Sequence, residues 1–441
     1  MTKLDTCVGP KYTGRRKTAL LEGGAKMKRV QTNRKLFTGA ALVAILATLG
    51  VVQGMLDKAA AQAKQVPRFE VDPYWPKPMP NNYVFGQTIG LGISADDHVW
   101  IIHRGNDPAN LDRTELAQPT PNGPRVSECC MAAPPVMEFD AAGNNVGGWG
   151  GPVAGAPYQW PESNHGIVVD HKGFVWIGGN GQPDSHILKF TRDGKFVAQY
   201  GKAGARKVPT SPADKPVYQS NSLDMENFGR VAKIFIDPKA NEGYVSDGYL
   251  NKRVAVIDLD SGKIKRMWGA YGEPPTDLNL GPYDPTAPLP RQFRNPLHCA
   301  EMANDGMVYT CDRPNDRVQV FTSQGKFVSE HRIEPQTRAD GSVWDIAFSR
   351  DPAQQFLYMA DGANEHVRVF DRKSMTELYN FGYGGRQPGM FLGVHSIAVD
   401  SKGNIYTTET YTGKRLQKFV YKGLGAMPKS SKVPAWPGSG N

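Results

Sequence analysis

Helical periodicity is scarce in this 441-residue chain: apolar residues seldom recur at the three- and four-residue spacing of an amphipathic helix, which leaves little basis for a helical fold. Three catalytic signatures are missing as well. There is no Gly-x-Ser-x-Gly elbow, no phosphate-cradling glycine loop and no haem-attachment cysteine pair, so three large enzyme classes lack their carriers. Cysteine is sparse, with five residues in all. An excess of one charge is absent from most of the chain. Of its 52 basic and 43 acidic residues, eleven and three fall within residues 1–63, which leaves 41 against 40 in the remainder. A near-neutral body gives no electrostatic reason to expect nucleic acid or an anionic membrane as a partner.

The N-terminus reads as a leader. Leu36 to Val52 is an uncharged apolar run that follows Lys26, Lys28, Arg29, Arg34 and Lys35 and precedes Ala61-Gln62-Ala63, the layout of a secretory signal peptide. A start at Met27 gives a conventional n-region. The alternative is an uncleaved anchor, since the run nearly spans a bilayer; membrane contact is expected through it or not at all. The expected location is periplasmic or secreted, where disulfides are permitted. Removal of Cys7 with the leader leaves four cysteines. If a hairpin turns at Asn304-Asp305-Gly306, Cys299 and Cys311 face each other at a spacing of roughly 4.5–5.5 Å, which a disulfide can bridge. The vicinal pair Cys129-Cys130 has three open readings: bonded to itself, reduced, or holding a soft metal.

Glycine and proline are plentiful, 48 and 34 residues, and they punctuate short Val/Ile/Tyr/Phe runs, the pattern of an all-β chain with frequent turns. One hairpin recurs: Val394-His395-Ser396-Ile397-Ala398-Val399-Asp400, a tight turn at Lys402-Gly403, then Ile405-Tyr406. Units of this kind begin near Thr88, His165, Ala232, His298, Trp344 and His395, which predicts a six-bladed β-propeller. The pattern Asp-x-x-Gly-x-(Ile/Val)-Tyr…Asp-x-x-Asn-x-Arg-Val-x-x-Phe resembles the NHL repeat. The organisation is then a leader (1–63), an extended segment (64–82), the propeller (83–422) and a Pro/Gly-rich tail (423–441). The last unit lacks a fourth strand, so Phe69-Glu70-Val71 is expected to close the ring. Long segments at Gly105 to Pro134, Lys202 to Gly229 and Gly269 to Asn295 all leave on one face, as loops around a binding mouth do.

His165, His298 and His395 each lie eleven residues before the aromatic of the following strand, and they open blades two, four and six. Blades one, three and five carry Ile89, Ala232 and Trp344 at that place. Alternate blades are about 120° apart, so three imidazoles at matched depth converge on the axis. That is how a catalytic zinc is held with one position open; iron, copper and nickel also suit imidazole. Arg104 and Tyr249 end second strands at the same mouth. Asp247, Asp312 and Asp361 at those strand ends are expected to cap turns.

His103-Arg104-Gly105, Asp247-Gly248-Tyr249-Leu250-Asn251-Lys252-Arg253 and the three histidines are similar to the lyase domain of the peptidylglycine α-amidating enzymes, over about residues 83–421. The resemblance implies a zinc-dependent lyase that splits a peptidyl-α-hydroxyglycine into an amidated peptide and glyoxylate. It implies His165, His298 and His395 as ligands and Arg104 and Tyr249 as catalytic groups. The chain departs from the family at Leu250, where the family has Cys, and at Ser396, where it has an Asp that helps a structural calcium. The substrate is expected to be a peptide or a small N-acyl hydroxyglycine. Two other readings stand beside this one: a non-catalytic periplasmic propeller that binds a protein or glycan, and a calcium-dependent lactonase or esterase, which needs oxygen ligands.

Overall fold

The computed structural model describes residues 65–105, 110–111, 115–118 and 123–428. The leader and the end of the tail lie outside them. Among the described residues no helix is long and apolar enough to cross a membrane.

Six four-stranded antiparallel sheets follow one another along the chain. Their inner strands are Thr88–Ile93, Asn164–Val169, Val231–Asp237, Leu297–Met302, Asp345–Phe348 and Val394–Val399. Each inner strand touches the next, and the sixth touches the first, so the sheets close a six-bladed propeller. In blade six the outermost strand is Val66–Asp72, paired antiparallel with Leu416–Gly425. Phe69, Glu70 and Val71 therefore close the ring, and the sixth blade takes in residues on both sides of the 83–422 span.

The hydrophobic core is divided among the blade-to-blade contacts, one apolar cluster in each of the six seams. A recurrent hairpin supplies them. In blade two Asp170 ends the inner strand, its Oδ1 accepts from the amides of Lys172 and Phe174, and its Oδ2 accepts from Trp176 Nε1 at 2.8 Å. The carboxylate thus fixes the turn and orients the large buried ring of the next strand. Gly173 supplies the positive φ of 83° that the turn requires. Asp400 repeats the arrangement with Tyr406 at 3.0 Å.

The acids at the other end of the second strands are structural, as expected. Asp247 accepts from Gly229 N, Asn251 Nδ2 and Arg253 Nε, and Asp312 accepts from Arg294 N, Asn315 Nδ2 and Arg317. Asp361 binds Asn364 and Arg368 in the same way. The Asp…Asn…Arg set, with one to two residues more between its members in blades three and five than in blade four, is therefore a clamp between the second and third strands, fully buried at Asp247 and Arg253.

Cys299 and Cys311 are directly opposite in blade four, with Cα atoms 4.8 Å apart, and are joined as a disulfide. Cys129 and Cys130 are bonded to each other.

Candidate functional site

The histidines meet on the axis. Ring centroids of His165, His298 and His395 are 4.8–5.1 Å apart, and all three side chains are buried. Their orientation comes from the intervening blades. His165 Nδ1 lies 2.6 Å from Ala232 O, His298 Nδ1 lies 2.5 Å from Trp344 O, and His395 Nδ1 lies 2.8 Å from Ile89 O. A carbonyl can only accept, so each Nδ1 carries the proton and each Nε2 presents a lone pair. The residues that replace histidine in blades one, three and five thus set the tautomer of those in six, two and four.

Burial holds all three imidazoles well below the usual histidine range. His395 and Arg104 add to this at His165, Arg313 and the other two histidines at His298, and Arg313 and Arg104 at His395. Three neutral imidazoles, each anchored through Nδ1 to a backbone carbonyl and with ligating nitrogens within 4.8 Å of one another, fit a divalent transition ion. Cys299, Cys311 and Asp345 are also close together, but the two sulfurs are bonded to each other.

Tyr249 covers this cluster. Its hydroxyl is 2.9 Å from His165 Nε2 and 3.1 Å from His298 Nε2. The preceding Gly248 explains the placement: a Cβ there would come within 1.9 Å of Leu297 O, so only glycine lets the Asp-Gly-Tyr turn lie against blade four. To act as a base at neutral pH Tyr249 needs a pKa below the ordinary tyrosine value. In the protein alone burial raises it, against the opposing pull of Arg313 and Arg104.

Arg104 ends the second strand of blade one, with its guanidinium spread over neutral acceptors: Asn164 O at 3.1 Å, Gln87 Oε1 at 3.0 Å and Asn180 Oδ1 at 2.9 Å. Its charge reaches His165, His395 and Tyr249. The structure therefore brings all five residues singled out in the sequence to one mouth. It adds Arg313, which the sequence reading passed over. This buried arginine places NH1 3.5 Å from Tyr249 Oη and its guanidinium 4.5 Å from the centre of the Trp344 ring. The available signal was its position, directly after Asp312, equivalent to the residues between Asp247 and the third strand of blade three.

One layer deeper the axis holds a different group. Lys233 Nζ lies 2.6 Å from Asp345 Oδ1 and 3.0 Å from Glu301 Oε1. Burial disfavours the ammonium, yet the two carboxylates outweigh it and hold Lys233 above its ordinary pKa. Glu301 is pushed up to about 7 by burial, against the pull of Lys233. The carboxylates nearest the axis thus already have an internal cation, and a calcium ion would compete with it for the same oxygens.

No family model matches the chain. Sequence similarity extends to peptidyl-glycine alpha-amidating monooxygenase B of Xenopus laevis, 25% identical over 267 residues, and to the Mus musculus enzyme, 23% identical over 252. The chain is a distant relative of these monooxygenases. The matched segments make up 59% and 56% of this chain but only 25% and 22% of those proteins, so the chain spans about a quarter of their length. Among solved structures, a streptogramin B lyase superposes on 80% of this chain and 98% of its own, with a TM-score of 0.45 and 13% identity.

Proposed function

We propose that the chain is an exported, metal-dependent lyase that cleaves the C–N bond of an α-hydroxyglycine amide, peptidyl or small N-acyl, to give an amide and glyoxylate. The observation that carries this reading is the set of three neutral axial imidazoles, with Tyr249 Oη within hydrogen-bond distance of His165 and His298 and two arginines at the same mouth. His165, His298 and His395 would hold the ion through Nε2. When bound, zinc supplies a Lewis acid that polarises the reacting oxygen.

The chain's own groups account for the rest. The reaction moves one proton from the carbinol oxygen to the amide nitrogen while the C–N bond breaks, with no change in oxidation state. Tyr249 Oη would take that proton as a phenolate, its ionisation favoured against burial by Arg313, Arg104 and the charge of a bound divalent ion, and would return it to the departing nitrogen. Arg104 and Arg313 would bind the substrate carboxylate by charge-assisted hydrogen bonds. The buried floor excludes bulk water, which strengthens both contacts.

The test is metal content and glyoxylate release from an N-acyl-α-hydroxyglycine. About one equivalent of zinc or another transition metal is expected, lost in the variant with His165, His298 and His395 all changed to Ala. Tyr249→Phe should keep the metal and lose turnover by about 10²–10⁴-fold. No metal in either protein would overturn the lyase reading and leave a binding propeller; turnover intact in Tyr249→Phe would remove the tyrosine from the mechanism.

A further inference from the structure

A second cavity opens beside the histidine centre. It encloses about 350 Å³, its lining includes Lys252, Tyr283, Arg294, Asn295, Arg313 and Asp340, and the long loop between blades three and four supplies much of its wall. Arg313 belongs to both spaces, since it lines this cavity and reaches Tyr249 Oη at 3.5 Å. A molecule held at the centre can therefore extend past that guanidinium and into the cavity.

The charge there is unbalanced. Three cations line the cavity against a single carboxylate, Asp340, which stands 3.4 Å from Arg313 and also accepts from Tyr411 at 2.7 Å. Lys252 and Arg294 form no ion pair among the described residues. Lys252 Nζ donates to Leu278 O, and Arg294 donates to Asn315 Oδ1 and Gly281 O, all of them neutral acceptors. The nearest acids are engaged elsewhere: Asp277 accepts from Ser222 N and Oγ, and Asp312 is clamped to Arg317 at 2.6 Å. Burial lowers the pKa of both cations, opposed at Lys252 by Asp277 and at Arg294 by Asp312 and Tyr283. Lys252 is buried and Arg294 half-buried; a cation withdrawn from water without a directly paired counter-ion is costly, and a bound anion relieves that cost.

We propose that this cavity is the acyl subsite of the enzyme and that it takes an acyl group ending in a carboxylate, held by Lys252 and Arg294. The substrate is then the α-hydroxyglycine amide of a short dicarboxylic acid, or a peptide whose penultimate side chain is acidic. This rests on the lyase reading for the reaction, while the anion site itself stands on the cavity and its cations. Its volume lies at the small end of ligand sites and has room for a short dicarboxylic acyl chain. The two cations sit apart from Arg104, which leaves the α-carboxylate its own partner.

The test compares N-glutaryl-α-hydroxyglycine with its uncharged isostere, in which the terminal carboxylate is a carboxamide. For the unaltered protein kcat/KM should favour the glutaryl substrate by about tenfold or more, a gap that narrows with added salt. In Lys252→Met/Arg294→Gln the ratio should fall to about one. A ratio near one in the unaltered protein, or a ratio untouched by the double substitution, overturns the proposal. If neither compound is cleaved, the lyase reading fails, and calorimetry with glutaramic acid decides the subsite alone: binding that disappears in the double variant retains it, and no binding removes it.

Discussion

Asp316 ends the turn after the second strand of blade four in the left-handed conformation, at φ 49° and ψ 43°. It is fully buried, and its Oδ1 accepts from Ser342 N at 2.8 Å. Burial pushes its carboxyl up to about 7, the bonds from Ser342 offset part of that, and the charge of Asp361 adds to it. The native state therefore holds a proton there that the unfolded chain, with an ordinary carboxyl near 4, gives up. Between about pH 4 and pH 7 stability falls as pH rises, by at most about 4 kcal/mol from this group. Asparagine keeps the shape, tolerates the left-handed backbone and carries no charge. Asp316→Asn should thus melt several degrees above the parent at pH 8 and level with it near pH 4. Melting curves at the two pH values check this, and an equal offset at both would show that the carboxylate is not the cause.

At the scale of the elements, what was readable in the sequence is what the hairpin repeats. A propeller blade keeps the distance from the start of its inner strand to the buried aromatic of the next, so an equal eleven-residue offset at His165, His298 and His395 meant equal depth on the axis. Insertions hid the rest. The third and fourth strands of blade one, Val136–Phe139 and Asn145–Trp149, follow the long segment after His103 and carry the repeat signature only faintly. Arg313 escaped because Asp312-Arg313-Pro314 reads as a turn, and only the packing of Trp344 and Tyr249 around its guanidinium shows where it reaches. The cations of the second cavity were invisible for a similar reason, since a loop and a strand end bring them together. The blade-four hairpin, by contrast, gave its disulfide in advance. That bond closes a loop over a sequence separation of 12, whereas Cys129–Cys130 has a separation of 1 and constrains almost no unfolded conformations. Reductant should therefore cost about 1–3 kcal/mol in the parent and in Cys129→Ala/Cys130→Ala. In Cys299→Ala/Cys311→Ala it should change nothing. Denaturant melts with and without dithiothreitol separate these cases, and a reductant effect that followed the vicinal pair would reverse the assignment.

The described residues form a ring, and the ring is closed where their first strand meets their last. That closure belongs to blade six, whose outer strand Val66–Asp72 comes from the start of the described residues and pairs from Val66↔Gly425 to Asp72↔Lys418. Val66 is fully buried, Phe69 sits edge-on to Tyr358 at 5.4 Å, and Tyr379 Oη donates to Pro67 O. Removing the strand exposes this apolar surface, at about 3–6 kcal/mol, and leaves Leu416–Gly425 as an open edge. That is comparable with the whole stability of an ordinary domain. The consequence reaches the axis, because His395 stands on the inner strand of the same blade, where its Nδ1 is oriented by Ile89 O of the neighbouring blade one. A chain beginning at Lys64 should fold and bind metal. One beginning at Pro73 should aggregate or melt far lower and lose metal together with its fold, although it keeps all three histidines. Size-exclusion chromatography, circular dichroism melts and metal analysis of the two chains measure this. Equal melting temperatures would mean that the other five seams hold the ring without its closing strand, and metal retained by the shorter chain would mean that the histidine centre does not depend on closure.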